Sequence, residues 1–357
     1  MIAAGRDAAT EPPMDQPLDD DTARFAGYVA ILGRGPGRSR ALTRAEAREA
    51  FGLVLRERVH PAQLGAFLML LRYRGEDADE IAGLVEAARD AIDVGPEGEP
   101  ASVGLGRVDL GRVDLDWPSY GAGRTRGAPW FLLSALALAQ TGVRVLMHGT
   151  NEFSGGIPVE AGLAALGLAP SRGGAMVADD LDRRNFAYWP VAAMAPRIDA
   201  LLRMRRLFGL RSPVNTVARL IDPGCAGVSV DGVFHPAYIA VHLAVAERLG
   251  RRSLVVLKGG GGEAERSPGK PVAAHLWRAG GRSEFLLPAL LEEGERGGPD
   301  TPHDLARLWT GADGVSARAE QTVIGTIALA VLALQDDPDP VRADRRATEI
   351  WRDRRRG

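Results

Sequence analysis

The chain has 357 residues, 45% of them apolar and 25% charged, an ordinary globular composition large enough for one big core or two domains. Its formal net charge is −2, so global charge makes no case for nucleic acid and any basic surface has to be local. The single cysteine, Cys225, excludes an internal disulfide and a thiolate metal cluster, and points to a reducing compartment, with the cytoplasm as the expected location.

Residues 1–23 are acidic and proline-bearing with no apolar core, which predicts a disordered lead and neither a signal peptide nor a membrane anchor. Residues 24–93 read as a helical domain. Thr43 with Glu46 three positions on is a capping box, and Leu42, Ala47, Phe51, Val54 and Leu55 share one apolar face. Pro61 suits the first turn of the next helix, and the acids after Gly75 suit the start of a third. Residues 94–106 read as a linker.

From 107 to 340 the pattern alternates. "VRVLMHG", "GVSVDG" and "SLVVL" are strands, while "WFLLSALALAQTG", "IPVEAGLAALGLAP" and "PAYIAVHLAVAERLG" are helices. Further helical sequence over 191–209 is expected to join the helical domain. Such alternation predicts an α/β domain with a mostly parallel central sheet. A charged loop with short helices and one long apolar helix are expected toward the end, then a basic segment over 341–357. The longest apolar runs, Trp130 to Ala139 and Val323 to Leu334, are shorter than a bilayer span, so no membrane is expected.

The order of these segments resembles the anthranilate phosphoribosyltransferases, which share their architecture with the nucleoside phosphorylases of glycosyltransferase family 3. "LTRAEAREAFGLVLRERVHPAQLGAFLMLLRYRGEDADEIAGLVEAAR", "GVRVLMHG", "VEAGLAALGL" and "LLRMRRLFGLRSPVNTVARLIDPG" carry the likeness. It implies a small N-terminal helical domain on a large α/β domain, an active cleft between them, and a homodimer through the helical domain. It also implies phosphoribosyl diphosphate and magnesium as ligands if transferase activity is kept.

The same resemblance exposes departures. The family's Gly-Thr-Gly-Gly-Asp turn corresponds to "YGAGR", which keeps Gly121 and Gly123 but ends in Arg124. Its Lys-His-Gly-Asn corresponds to "MHGT", which keeps His148 and Gly149 and puts Thr150 last. Its His-Pro becomes Ala195-Pro196, and its Asp-Glu metal pair falls at Glu263 and Glu265. Arg205 matches the arginine that contacts the aromatic acid. This altered set looks like a divergent branch of the family whose members bind nucleic acid without evident sequence preference.

Physical chemistry leaves both readings open. Glycines in "YGAGR" can converge backbone N–H groups on an anion, with Arg124 adding charge, or the stretch is a bare strand-to-helix turn. In "KGGGGEAER" a strand runs into a glycine loop where parallel sheets place ligands. There Glu263 and Glu265 offer hard oxygens for magnesium, and Lys258, Arg266 and Lys270 would meet phosphate or pair with those same glutamates. It is no Walker loop, because no Gly-Lys-Ser/Thr closes it.

Arg197, Arg203, Arg205, Arg206 and Arg211 concentrate cations near one helix end, suited to phosphate backbones. Arg38 and Arg40 in "GRGPGRSR", and the C-terminal arginines with Trp351 free to stack, form further basic patches or merely solubilising surface. His148 is either a satisfied core histidine or a ligand contact. The first reading is a protein that binds DNA or RNA through its phosphates, with degenerate active-site motifs. The alternative is an active phosphoribosyltransferase on an aromatic acid or nucleobase. A small phosphorylated ligand suits either.

Overall fold

The computed structural model describes residues 19–35, 37–92, 109–121, 124–125, 127–292 and 300–356. The linker expected over 94–106 and Gly123 of the "YGAGR" turn lie outside the described residues.

Four helices open the fold. α1 spans Asp20–Gly33 and is capped by Asp19, whose carboxylate accepts from the backbone N–H of Thr22. The lead expected to run to residue 23 is therefore helical from Asp20, because two first-turn acids and an Asp cap favour the helix start. α2 spans Arg44–Leu55 and carries the predicted Thr43–Glu46 capping box. α3 spans Pro61–Arg74 with proline at its first turn, and α4 spans Ala78–Asp90 with Asp77 as cap. α2 and α4 pack so closely that a Cβ on Gly83 would run into the carbonyl of Arg44.

The α/β part follows: β1 (Leu115–Ser119), α5 (Trp130–Ala139), β2 (Val145–Gly149), α6 (Val159–Ala165), α7 (Gly174–Arg184) and β3 (Phe186–Pro190). The chain then makes four short helices, α8 (Val191–Met194), α9 (Pro196–Arg203), α10 (Arg205–Phe208) and α11 (Val214–Arg219). It returns as β4 (Val228–Val233), α12 (Ala237–Arg248) and β5 (Ser253–Lys258). It closes with β6 (Val272–Arg278), β7 (Gly281–Leu287), α13 (Pro302–Thr310), α14 (Ala317–Leu334) and α15 (Pro340–Asp353).

One sheet of seven strands has the order β3-β2-β1-β4-β5-β6-β7. β1 to β5 pair in parallel, with Leu115 opposite Val145 and Val230 opposite Val255. β6 and β7 add an antiparallel edge that the sequence reading did not mark as strands, while most of the charged loop expected at "EEGERGGPD" lies outside the described residues. The alternation in "VAAHLWR" is real strand patterning.

The inner strands are buried along almost their whole length, and successive residues face opposite cores, as a sheet covered on both faces requires. Val145, Met147, Phe186 and Tyr188 face a core shared with α5 and α14. Leu146, Ala187 and Trp189 face a second core that joins the N-terminal helices to α9 and α11. By length and composition α14 could cross a membrane, contrary to expectation, yet 67% of it is buried inside the fold, as for a core helix. The basic C-terminal segment is also a packed element. α15 lies on α14 and α5, and Trp351 is buried beneath the Arg354 guanidinium rather than free to stack on a base.

Candidate active site

The chain builds β1, β2 and β3 outward in one direction and β4 and β5 in the other. The direction reverses between β1 and β4, and parallel sheets open a crevice at the carboxyl ends of such strands. Tyr120 and Gly121 leave β1 there, and Phe234 leaves β4.

Glu263 threads this crevice. A Cβ on Gly232 or Gly259 would collide with its backbone, so only glycine admits it. Its carboxylate oxygen Oε1 accepts from the backbone N–H of Gly121 at 2.8 Å and from Ser119 Oγ at 3.1 Å. Its other oxygen, Oε2, is buried with no hydrogen-bond partner. Burial raises its pKa against the pull of Arg219 and Arg124. Two residues on, Glu265 accepts from the N–H of Phe131 in the first turn of α5, and burial pushes its pKa up to about 7. The two carboxylates thus have different first partners. Among the described residues, no group of three or more His, Cys, Asp or Glu is placed to hold a metal ion.

His148 lies on β2, fully buried. Its Nδ1 is 2.9 Å from the Tyr120 hydroxyl and its Nε2 is 3.1 Å from Asp116 Oδ1. Asp116 Oδ2 accepts from Ser229 Oγ at 3.0 Å, and the buried Arg251 reaches both Ser229 and the carbonyl of Leu220. His148 is therefore the middle of a polar chain that fixes Tyr120 from below. Gly149 lets β2 end against β1, since a Cβ there would strike the Ser119 carbonyl, and the Thr150 N–H donates to that carbonyl at 3.0 Å.

Sequence reasoning missed Arg219, Asp231 and His242. Arg219 at the end of α11 donates to the carbonyls of Tyr120 at 2.8 Å and Gly232 at 2.9 Å, and lies 3.3 Å from Asp231 Oδ1. His242 Nδ1 lies 2.6 Å from Asp231 Oδ2. Burial alone would raise Asp231, yet His242, Arg219 and the Gly232 N–H hold it below the usual carboxylate value. The signal was a lone arginine in the apolar run "NTVARLI", which needs an internal acceptor once buried.

The expected cations divide sharply. Arg205 stacks on Phe153, its guanidinium 5.4 Å from the ring, and its Nη1 is buried without a hydrogen-bond partner. Arg211 stacks on Phe234 at 5.7 Å, and Arg72 of α3 donates to the hydroxyl of Tyr238 on α12. Arg203 and Arg206 both pair with Glu152, at 2.6 and 3.0 Å, Arg197 pairs with Glu57 at 3.0 Å, and Arg40 with Glu46 at 2.7 Å. Arg38, Lys258 and Lys270 are exposed.

Two expected phosphate contacts are corrected by burial. Arg266 is fully buried, paired with Asp344 at 2.7 Å and donating to the Pro288 carbonyl, so it meets no surface phosphate. Arg124 is also buried, against Phe131, and donates to the carbonyls of Gly127 and Ile157.

Comparison with known proteins agrees with this architecture. A family profile described as "Glycosyl transferase family, helical bundle domain" matches residues 28–92. The uncharacterized protein YbiB of Escherichia coli is 29% identical over 248 residues, 68% of this chain and 73% of that protein. Anthranilate phosphoribosyltransferase of Myxococcus xanthus is 32% identical over 241 residues, 66% of each chain. Among solved structures, anthranilate phosphoribosyltransferase of Thermus thermophilus superposes with a TM-score of 0.69 at 22% identity, covering 92% of this chain and 94% of that one. The Saccharomyces cerevisiae enzyme in complex with PRPP and Mg gives 0.70 at 16% identity over the same shares. The protein is accordingly a homologue of the anthranilate phosphoribosyltransferase-like proteins of glycosyltransferase family 3, with their α/β fold.

Proposed function

We propose that the protein is a phosphoribosyltransferase, moving a phosphorylated ribosyl unit from a pentose diphosphate onto an aromatic acid or nucleobase. One observation carries this. Arg205 is stacked on Phe153 in the loop after β2 and Arg211 on Phe234 at the end of β4, and neither has a carboxylate ion pair among the described residues. Stacking fixes a guanidinium plane and leaves its N–H edge to accept an anion in a two-pronged grip. In this reading Arg205 takes the acceptor's acid group. The chain Asp116–His148–Tyr120 holds the turn after β1 that faces the donor's diphosphate.

Magnesium fits the residues present. It needs only one or two carboxylates beside waters and phosphates, and Glu263 has a buried oxygen with no other partner. Glu263 and Glu265 would hold the ion, which supplies positive charge against the diphosphate. The Gly121 N–H and Ser119 hydroxyl, now satisfied by Glu263, become available to a donor oxygen once that carboxylate turns. Calorimetric titration with phosphoribosyl diphosphate and magnesium tests the reading. Saturable heat that disappears in Arg205→Ala once an aromatic acid is the second ligand is expected, and no heat with the donor overturns it.

Nucleic-acid binding has support in the exposed Arg38, Lys258 and Lys270. Ion pairs already occupy Arg40, Arg197, Arg203 and Arg206, so the transferase reading has the stronger footing. We also propose that two copies associate through the helical domain. Tyr73 (91% exposed) and Leu207 (80% exposed) are large apolar side chains left uncovered there. Light scattering after size-exclusion chromatography should give twice the chain mass.

A further inference from the structure

The loop after β2 meets the junction of α9 and α10 through two successive side chains. Glu152 gives one carboxylate oxygen to each of two guanidinium groups: Oε2 lies 2.6 Å from Arg203 Nη1, and Oε1 lies 3.0 Å from Arg206 Nη2. Phe153, the next residue, carries the Arg205 guanidinium 5.4 Å and the Arg206 guanidinium 6.0 Å from its ring. Arg203 also pairs with Asp199, one turn earlier on α9, at 2.8 Å. Direct contacts thus join every member of the cluster, and the arginines converge because Arg203 closes α9 while Arg205 and Arg206 open α10.

Glu152 supplies charge to this cluster without fitting it. Both of its oxygens are within ion-pair range, yet both are buried without an aligned hydrogen bond, and Arg205 Nη1 is likewise buried without a partner. Three guanidinium charges face two carboxylates, so one positive charge is left over. A dianion in the place of Glu152 would match all of them. The cluster opens outward, since the side chains of Arg203 and Arg206 are 50% and 71% exposed. Ion pairs to arginines that face solvent are worth at most about 1 kcal/mol, so an anion of higher charge can displace the carboxylate. The loop itself is fastened on both sides of Glu152. Asn151 Oδ1 accepts from the Val159 N–H at the start of α6 at 2.8 Å, and the Ser154 hydroxyl and Gly155 N–H donate to the Arg124 carbonyl at 3.0 and 2.7 Å. Rotation of the Glu152 side chain therefore opens the cluster with no movement of the loop backbone.

We propose that Arg203 and Arg206 form a subsite for the dianionic phosphate group of a small phosphorylated ligand, and that Glu152 is the built-in anion that keeps the subsite closed until phosphate arrives. A tetrahedral phosphate offers each guanidinium a pair of oxygens, whereas one flat carboxylate has to be split between them. The inference goes beyond the transferase reading and does not rest on it, because neither donor nor acceptor enters the argument.

The test uses the full chain with a chelator present, so that no metal ion holds phosphate at Glu263. Inorganic phosphate, at a pH where it is a dianion, and acetate are titrated calorimetrically at one ionic strength. Glu152→Gln keeps the shape of the side chain and removes the competing charge. It is expected to bind phosphate about tenfold more tightly than the unaltered protein, equivalent to about 1.4 kcal/mol, and to gain less than about threefold for acetate. Adding Arg206→Gln to that variant should abolish the gain. Arg206→Gln alone, at a side chain 71% exposed, should weaken phosphate binding with Glu152 still in place, a readout independent of the Glu152 variant. Thermal melts check that each variant is folded. Unchanged phosphate affinity in folded Glu152→Gln overturns the proposal, as does a gain that survives Arg206→Gln or is equally large for acetate. A gain for a short single-stranded oligonucleotide without one for phosphate also overturns it, because the cluster would then select a polymer.

Discussion

The carboxylate of Glu263 accepts the backbone N–H of Gly121 at 2.8 Å, joining the loop after β5 to the first turn after β1 across the switch point of the sheet. The contact is tight enough to dictate the residue at position 121. A Cβ there would lie 2.7 Å from Glu263 Cδ and closer still to Oε1. Gly121→Ala should therefore cost about 1–3 kcal/mol, the usual range for an overfilled interior. Pairing it with Glu263→Ala should recover much of that loss, because the clash partner is gone. Denaturant unfolding of the two single variants and the double variant measures this, and additive losses would contradict it.

Glu76 predicts a pH-dependent stability. Burial pushes its carboxyl from 4.5 up to about 7, against the Thr216 hydroxyl and Arg72, which pull it down. The native state holds the proton more tightly than the unfolded chain. Stability is therefore highest below about pH 4.5 as far as this group is concerned, and it falls as pH rises toward 7. Glu76→Gln removes the penalty. It should gain about 2 kcal/mol at pH 8 and nothing at pH 4, scaled from about 1.4 kcal/mol per unit with allowance for partial exposure. Thermal melts at the two pH values give the comparison, and an equal gain at both would exclude the mechanism.

Arg251 and Arg24 both sit near a carboxylate but should behave differently. Arg251 is buried, 3.6 Å from Asp116 Oδ2, and also holds Ser229 and the Leu220 carbonyl. Arg251→Ala leaves a buried charge and two buried acceptors without a donor, a loss of about 3–5 kcal/mol. Arg24 pairs with Glu49 at the surface, and Arg24→Ala should cost less than about 1 kcal/mol. Urea unfolding midpoints of the two variants should differ accordingly.

Gly83 gives a purely steric prediction. It faces the Arg44 carbonyl across the α2–α4 contact, and a Cβ would also come within 2.9 Å of Ala47 Cβ. Gly83→Ala raises intrinsic helix propensity, yet it should destabilise by about 1–3 kcal/mol because the helices must separate. A raised melting temperature would show that the helices can move apart at no cost.

Much of the fold could be read along the chain because local chemistry determined it. Thr43 with Glu46, Pro61 and the acids at the start of α4 mark helix starts wherever they occur, and each marks one here. β6 and β7 were hidden because a hairpin on a sheet edge is half exposed, and the charges in "GRSEFLL" mimic a loop. The site was legible in part. His148 and the two glutamates stand out by type, but their partners Asp116, Ser119 and Phe131 come from distant positions that only the sheet order brings together. The charge of the N-terminal helices cannot be read locally either, because Arg58, Arg44 and Arg48 find their acids, Asp21, Glu86 and Asp90, in other elements.

The second core has a consequence for the order in which the protein is made. Phe25, Phe51 and Phe67 belong to one core with Ile198, Leu201 and Val217. The last three leave the ribosome only after three strands of the sheet have been translated. The N-terminal helices therefore emerge early with one side uncovered and wait for the chain to return, which makes them a natural early client for a chaperone.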